Sequence, residues 1–143
     1  MRNPIRISVK TGWAIRVPTH LVIAHSPDSD DAYMMAPLAL GWMDQDSDRQ
    51  AFTFDFVRLD IEKLNQHSFE ELYDISAISF GVYPHIQHQY DLLTAGSSIQ
   101  EGTGPLIVSR VPLLPEQLST HTVAIPGMHT SAYLSMQKYH PHL

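Results

Sequence analysis

Short apolar runs alternate with polar, turn-rich stretches along most of this chain. The run LVIA at 21–24 is bounded by Pro18 and Pro27 and predicts a buried strand. A helix follows to about Leu40, with Ser29 or Asp30 as its cap and Gly41 as its stop; Pro37 inside it predicts a kink or an early end. Asp44, Asp46 and Asp48 make a polar loop. In AFTFDFVRL the rings of Phe52, Phe54 and Phe56 recur at period two, which predicts a strand with one apolar face. Asp60 is placed to cap the helix IEKLNQHSFEEL, where Ile61, Leu64 and Ser68 share a face with Leu72 beyond. YDISAISF predicts a strand, and VYPHIQHQY a short helix that tolerates Pro84 in its first turn. DLLTA and PLIVSR read as strands around the glycine-rich loop GSSIQEGTG, and Pro112 and Pro115 bound a turn. HTVAIPG reads as one more strand and HTSAYLSMQKY as one more helix. The order β-α-β-α-β-α-β-β-β-α predicts an α/β protein with a mostly parallel sheet. The last helix has nothing after it to pack against, so the sequence is expected to be truncated or one half of something larger.

Composition narrows the function more than the fold. The 143 residues suit one compact domain, 43% hydrophobic and 17% charged. A formal charge of −6 and the lack of a basic patch argue against a nucleic-acid partner. With no cysteine there is no disulfide, thiolate metal site or cysteine nucleophile in these residues. No apolar run approaches the ~20 residues of a membrane span, and a cytoplasmic location is expected. Arg2, Arg6, Lys10 and Arg16 precede the first acid, Asp28. Lys10 and Arg16 interrupt any apolar signal core, so residues 1–18 are expected to be a disordered extension.

The stretch HSPDSDD puts Asp28, Asp30 and Asp31 between two apolar elements. A calcium loop fails there, because Ala32 and Tyr33 stand where a third ligand and a glycine belong. A D-x-D nucleophile fits poorly, since His25, Ser26 and Pro27 separate the first carboxylate from the strand. Helix capping accounts for Asp30 or Asp31 but not for all three. In parallel α/β sheets ligands gather beyond the carboxyl ends of the strands. HSPDSDD, residues 60–65, residues 79–81 and residues 127–131 are all expected at such ends and could converge on one small polar ligand, an anion being favoured by helix N-termini. In PGMHTSAY, Gly127 frees the turn while Thr130 and Ser131 offer hydroxyls. The nine histidines, including the spaced pairs His85/His88 and His140/His142, lack a zinc-type constellation, and no metal is expected. His129 stands out only for its place in a ligand loop. No G-x-S-x-G or Walker motif occurs, and GSSIQEGTGP resembles a phosphate loop only loosely.

Taken together, AHSPDSDDAYM, DIEKLN, ISAISFGVYPHI, YDLLTAGSSIQEGTGPLIVSR and VAIPGMHTSAYL resemble 1,4-dihydroxy-6-naphthoate synthase of the futalosine route to menaquinone, over roughly residues 20 to 139. Chorismate dehydratase, a sister enzyme, is matched less well by SPDSDDAYMM and GTGPLIV. The resemblance implies a type II periplasmic-binding-protein-like fold of two α/β lobes around a cleft. Residues 19–110 would be the first lobe. Residues 111–143 would be a crossover and the first β-α unit of a second, with PLIVSR similar to the crossover and TVAIPG to the first strand of that lobe. It implies a lyase acting on cyclic dehypoxanthine futalosine, an aromatic carboxylate, without cofactor and started by a histidine base. Carried over by residue, Asn65, Ala77, Ile78, Ser79, Thr130, Ser131 and Ala132 would contact substrate, with Ser131 and Ala132 standing where a threonine–alanine pair usually binds the carboxylate. Asp28, Asp31, Gly104 and Gly127 would shape the pocket. The family is about twice as long, and its catalytic histidine is expected beyond Leu143. No catalytic residue is therefore expected here, and a second chain could supply the missing lobe. The competing expectations are a lobe that binds a small carboxylate without chemistry, and an inactive gene fragment.

Overall fold

The computed structural model describes residues 8–10, 19–45, 52–99 and 101–143. Five strands form one sheet in the order β3-β2-β4-β1-β5: β1 (Ser8–Lys10), β2 (Thr19–His25), β3 (Phe52–Arg58), β4 (Ile75–Ser76) and β5 (Tyr90–Leu92). β2 is parallel to β3 from Thr19↔Phe52 to His25↔Arg58, and parallel to β4 at Ile23↔Ile75 and Ala24↔Ser76. β1 is antiparallel to both β4 and β5. The helices are α1 (Ser29–Ala39), α2 (Ile61–Phe69), α3 (Tyr83–Ile86) and α4 (Ser131–Tyr139). This is the expected α/β architecture, with three parallel strands. Among the described residues no helix is long and apolar enough to cross a membrane.

The local signals explain most of these elements. Along β3, Phe52, Phe54 and Phe56 are half-buried while Thr53 and Asp55 are exposed, as period two requires. Phe54 and Phe56 pack with Ile23, Met35 and Ile75, joining α1 to the sheet. Asp60 caps α2, accepting from the Lys63 N–H at 3.0 Å. A second cluster of Val82, Ile86 and Tyr90 lies beneath α3, where Pro84 sits in the first turn.

Several expectations need correction. Ser8–Lys10 is not part of a disordered extension but a strand between β4 and β5, satisfying the ladder groups of both. The rest of 1–18 lies outside the described residues, as do Asp46 and Asp48. α1 is capped by Asp28, one residue before Ser29, and Pro37 does not stop it before Ala39. The carbonyl that would accept from position 37 belongs to exposed Tyr33, so water can replace that bond. Leu72 falls beyond α2 and is exposed. Of YDISAISF only Ile75–Ser76 is strand. PLIVSR and HTVAIPG are not strands: residues 105–110 are exposed throughout, and neither segment has a partner ladder among the described residues. Residues with strand-forming side chains become a strand only where another strand pairs with them.

Tyr90 is fully buried and its hydroxyl donates to the Tyr73 carbonyl at 3.0 Å. Burial, reinforced by the negative charge of Glu71, pushes its phenol from 10.0 up to about 12. The unfolded chain releases that proton first, so the stability Tyr90 confers is complete below pH 10.0 and is lost as pH rises to about 12. Tyr90→Phe should cost about 1 kcal/mol at neutral pH, the worth of one buried hydrogen bond. It should also flatten the alkaline fall in stability. Urea denaturation across this pH range measures both, and an unchanged alkaline slope would count against this account.

Candidate functional site

The parallel strands β2, β3 and β4 end on the same side, and the chain leaves each end through a polar segment. After β2, His25 and Ser26 are buried. The His25 Nδ1 donates to the Ser26 carbonyl at 2.7 Å. The Ser26 N–H donates to Asp31 at 2.7 Å, and the Asp28 N–H donates to the Ser26 hydroxyl at 3.1 Å. Asp31 thus reaches back from the first turn of α1 and fixes the strand-to-helix turn, as the last residue of a capping box does. Asp28 caps by its backbone, its carbonyl accepting from the Ala32 N–H, and its own carboxylate makes no capping bond. The Ser98 hydroxyl beside exposed Asp30 holds that carboxyl below its usual value, against a smaller opposing effect of burial. The three aspartates therefore act differently: Asp31 bonds the Ser26 N–H, Asp30 faces Ser98, and Asp28 caps through its backbone. Among the described residues no group of three His, Asp or Glu side chains could hold a metal ion.

After β3, α2 carries the residue that joins the other loops. Asn65 has no solvent exposure. Its Oδ1 accepts from the Ser79 N–H at 2.8 Å, while its Nδ2 donates to the Ser79 hydroxyl at 2.9 Å and to the His129 carbonyl at 3.3 Å. One amide thereby fixes both the loop after β4 and the loop before α4. One turn earlier, Glu62 accepts from the His129 N–H at 3.0 Å and from its Nδ1 at 2.7 Å. Burial raises the Glu62 carboxyl, but hydrogen bonds from the His129 ring, the His129 backbone and Gln66 outweigh it, leaving the group below its usual value. Gly127 is required at this point: its φ is +145°, and a Cβ there would meet the Glu62 carboxylate.

Thr130 is buried and caps α4, its hydroxyl donating to the Gly127 carbonyl at 2.8 Å and accepting from the Tyr133 N–H at 3.3 Å. The cap does not use the N–H groups of Ser131 and Ala132, which lie at the positive end of the helix dipole.

These loops enclose a cavity of about 310 Å³. Asp28, Asp30 and Asp31 line one side, Ala77, Ile78, Ser79, Phe80 and Tyr83 another, and Ser131 stands at the α4 side. Residues 96–99 close part of the rim. Neither lysine nor arginine lines it, and Ser131 brings the positive end of the α4 dipole to it. Of the expected site residues, Asp28, Asp31, Ala77, Ile78, Ser79 and Ser131 meet at the cavity. Asn65, Thr130 and Gly127 support it from behind. Gly104 and Ala132 line a separate open groove of about 1320 Å³ between residues 104–110, 121–126 and the other face of α4. The part played by Glu62 has no local sign in the sequence, since 67 positions separate it from His129. Tyr83 shows only as the start of a short helix.

Asn65→Ala would leave the Ser79 N–H and the His129 carbonyl without partners. A loss of about 3 kcal/mol is expected in urea denaturation, from two buried groups left unpaired. A loss below about 1 kcal/mol, the worth of one ordinary bond, would show that Asn65 does not hold the two loops.

A family model described as menaquinone biosynthesis matches residues 21–141. The chain is 29% identical over 119 residues to the 1,4-dihydroxy-6-naphthoate synthase of Thermus thermophilus, covering 83% of this chain and 41% of that protein. It is 30% identical over 114 residues to the enzyme of the same name from Streptomyces coelicolor, covering 80% of this chain and 38% of that protein. It thus spans about two-fifths of the length of these curated relatives. The crystal structure of an Archaeoglobus fulgidus protein superposes with a TM-score of 0.71 at 32% identity, over 82% of this chain and 42% of that one. The chain belongs to the menaquinone biosynthesis family.

Proposed function

We propose that this chain provides the substrate-binding lobe of a 1,4-dihydroxy-6-naphthoate synthase, a carbon–carbon lyase of menaquinone biosynthesis acting on cyclic dehypoxanthine futalosine. The relatives that carry that name support it. The observation that carries it furthest is the cavity itself, where an apolar wall faces a helix N-terminus with free N–H groups. In this reading the substrate carboxylate sits at Ser131 and the Ser131 and Ala132 N–H groups, with the dipole of α4 behind it. Ile78 and Tyr83 pack against the aromatic ring, and the Ser79 hydroxyl, oriented by Asn65, bonds a polar edge. Asp28 and Asp31 stand across the cavity and repel a carboxylate placed the wrong way round, which fixes the orientation. The fold is read as the first lobe of a type II periplasmic-binding-protein-like pair.

The base that starts the chemistry lies, in this reading, outside these residues. No histidine lines the cavity, and the chain spans about two-fifths of its relatives. The same observation favours a second reading, a lobe that binds a small aromatic carboxylate without chemistry. Turnover separates both from a complete enzyme: the chain alone is expected to leave the futalosine-derived substrate unchanged.

Calorimetric titration with 1,4-dihydroxy-6-naphthoate, kept reduced, tests the binding. The intact chain should bind it. Ser131→Ala and Ser79→Ala should each weaken binding about tenfold, the equivalent of one hydrogen bond to a charged or polar group. Binding that neither substitution changes would remove the cavity from consideration.

A further inference from the structure

Glu62 does not line the cavity, and neither does His129. Yet the loop that delivers Ser131 is held largely by this pair. We propose that Glu62 and His129 are positioning residues that set the ligand-binding end of α4. The proposal rests on the reading that this end of α4 receives the ligand.

Three observations carry it. First, the contact is two-pronged. One carboxylate oxygen accepts from the His129 backbone and the other from the His129 ring. Both the path of the chain and the direction of the ring are thereby set. Second, α2 holds both of the peptide units that flank the His129 α-carbon. Glu62 takes the N–H, and Asn65, one turn on, takes the carbonyl. His129 immediately precedes Thr130, the cap of α4, and Ser131 follows at the cavity. A shift of this peptide therefore moves the helix start. Third, the loop is shaped around the carboxylate. Gly127 leaves the space that Glu62 fills, and Phe69 from the same helix packs on the His129 ring, with centroids 5.3 Å apart.

The geometry also dictates a chemical signature. A ring nitrogen facing a carboxylate oxygen at 2.7 Å must carry the proton, so neutral His129 is held as the Nδ1–H tautomer. A glutamine at 62 keeps both contacts only by donating its NH2 to a bare Nδ1, which forces the Nε2–H tautomer, whereas an alanine removes both contacts.

The test uses the full chain with labelled histidine, at about pH 8, above the ordinary histidine value of about 6.5. In the unaltered protein, long-range proton–nitrogen spectra should show His129 as Nδ1–H. In Glu62→Gln the ring should switch to Nε2–H, and in Glu62→Ala, where both contacts are gone, the Ser131 and Ala132 amide resonances should move. Affinity for 1,4-dihydroxy-6-naphthoate should fall about tenfold while urea unfolding stays cooperative. Gly127→Ala opens the same contact from the other side and should reproduce the tautomer change with Glu62 intact. An Nε2–H ring in the unaltered protein would overturn the proposal without any variant. A Glu62→Ala variant that leaves the α4 amides and the affinity untouched would overturn it too, because the pair would then hold only the loop. If the unaltered chain binds no naphthoate but the α4 amides move in Glu62→Ala, the positioning role stands and the ligand reading fails.

Discussion

A buried side-chain amide holds the loops of this site together. Asn65 spends its oxygen and its nitrogen on Ser79 and the same nitrogen on His129, with no water to take over if either loop moves. Buried polar groups left without partners are costly, so the arrangement is close to all-or-none. The loop after β4 and the loop before α4 are 14 and 64 positions away from Asn65, and neither has a regular ladder of its own at that point. The cavity exists because α2 reaches both. Helix α2 is in turn fixed by its Asp60 cap and by Leu64 and Ser68, which are buried on the same side.

The electrostatics of the cavity follow from the same frame. Three aspartates and Ser131, the first residue of α4, line it together. No lysine or arginine does, so its positive potential comes from the start of α4, whose direction depends on how the helix begins. That is why residues that never reach the cavity, Glu62 and Gly127 among them, bear on what it can bind.

How much of this was legible depended on distance along the chain. β2, β3, the Asp60 cap and the Thr130–Ser131 helix start were readable because each is decided within a few residues. The capping question at HSPDSDD was half readable: the cap is Asp28, and Asp31 was recognisable as the acid that opens the helix but not as the partner of the Ser26 N–H. PLIVSR and TVAIPG carry strong strand-forming residues yet form no strand, because nothing in a local window says whether a partner is present. β1 was missed for the converse reason. Its three residues have little pattern, and their place is set by the gap between β4 and β5. Asn65 and Ser79 fell in loops that the α/β order placed at strand ends, and family resemblance named them as contacts; the crosslink between them is a fact of the fold.

The most direct test of this account is amide chemical-shift mapping of the full chain with reduced 1,4-dihydroxy-6-naphthoate. The account predicts shifts at Ser79, Phe80 and Ser131, which line one cavity, and at the Ala132 amide in the first turn of α4. Shifts confined to residues 104–126, along the open groove, would contradict it.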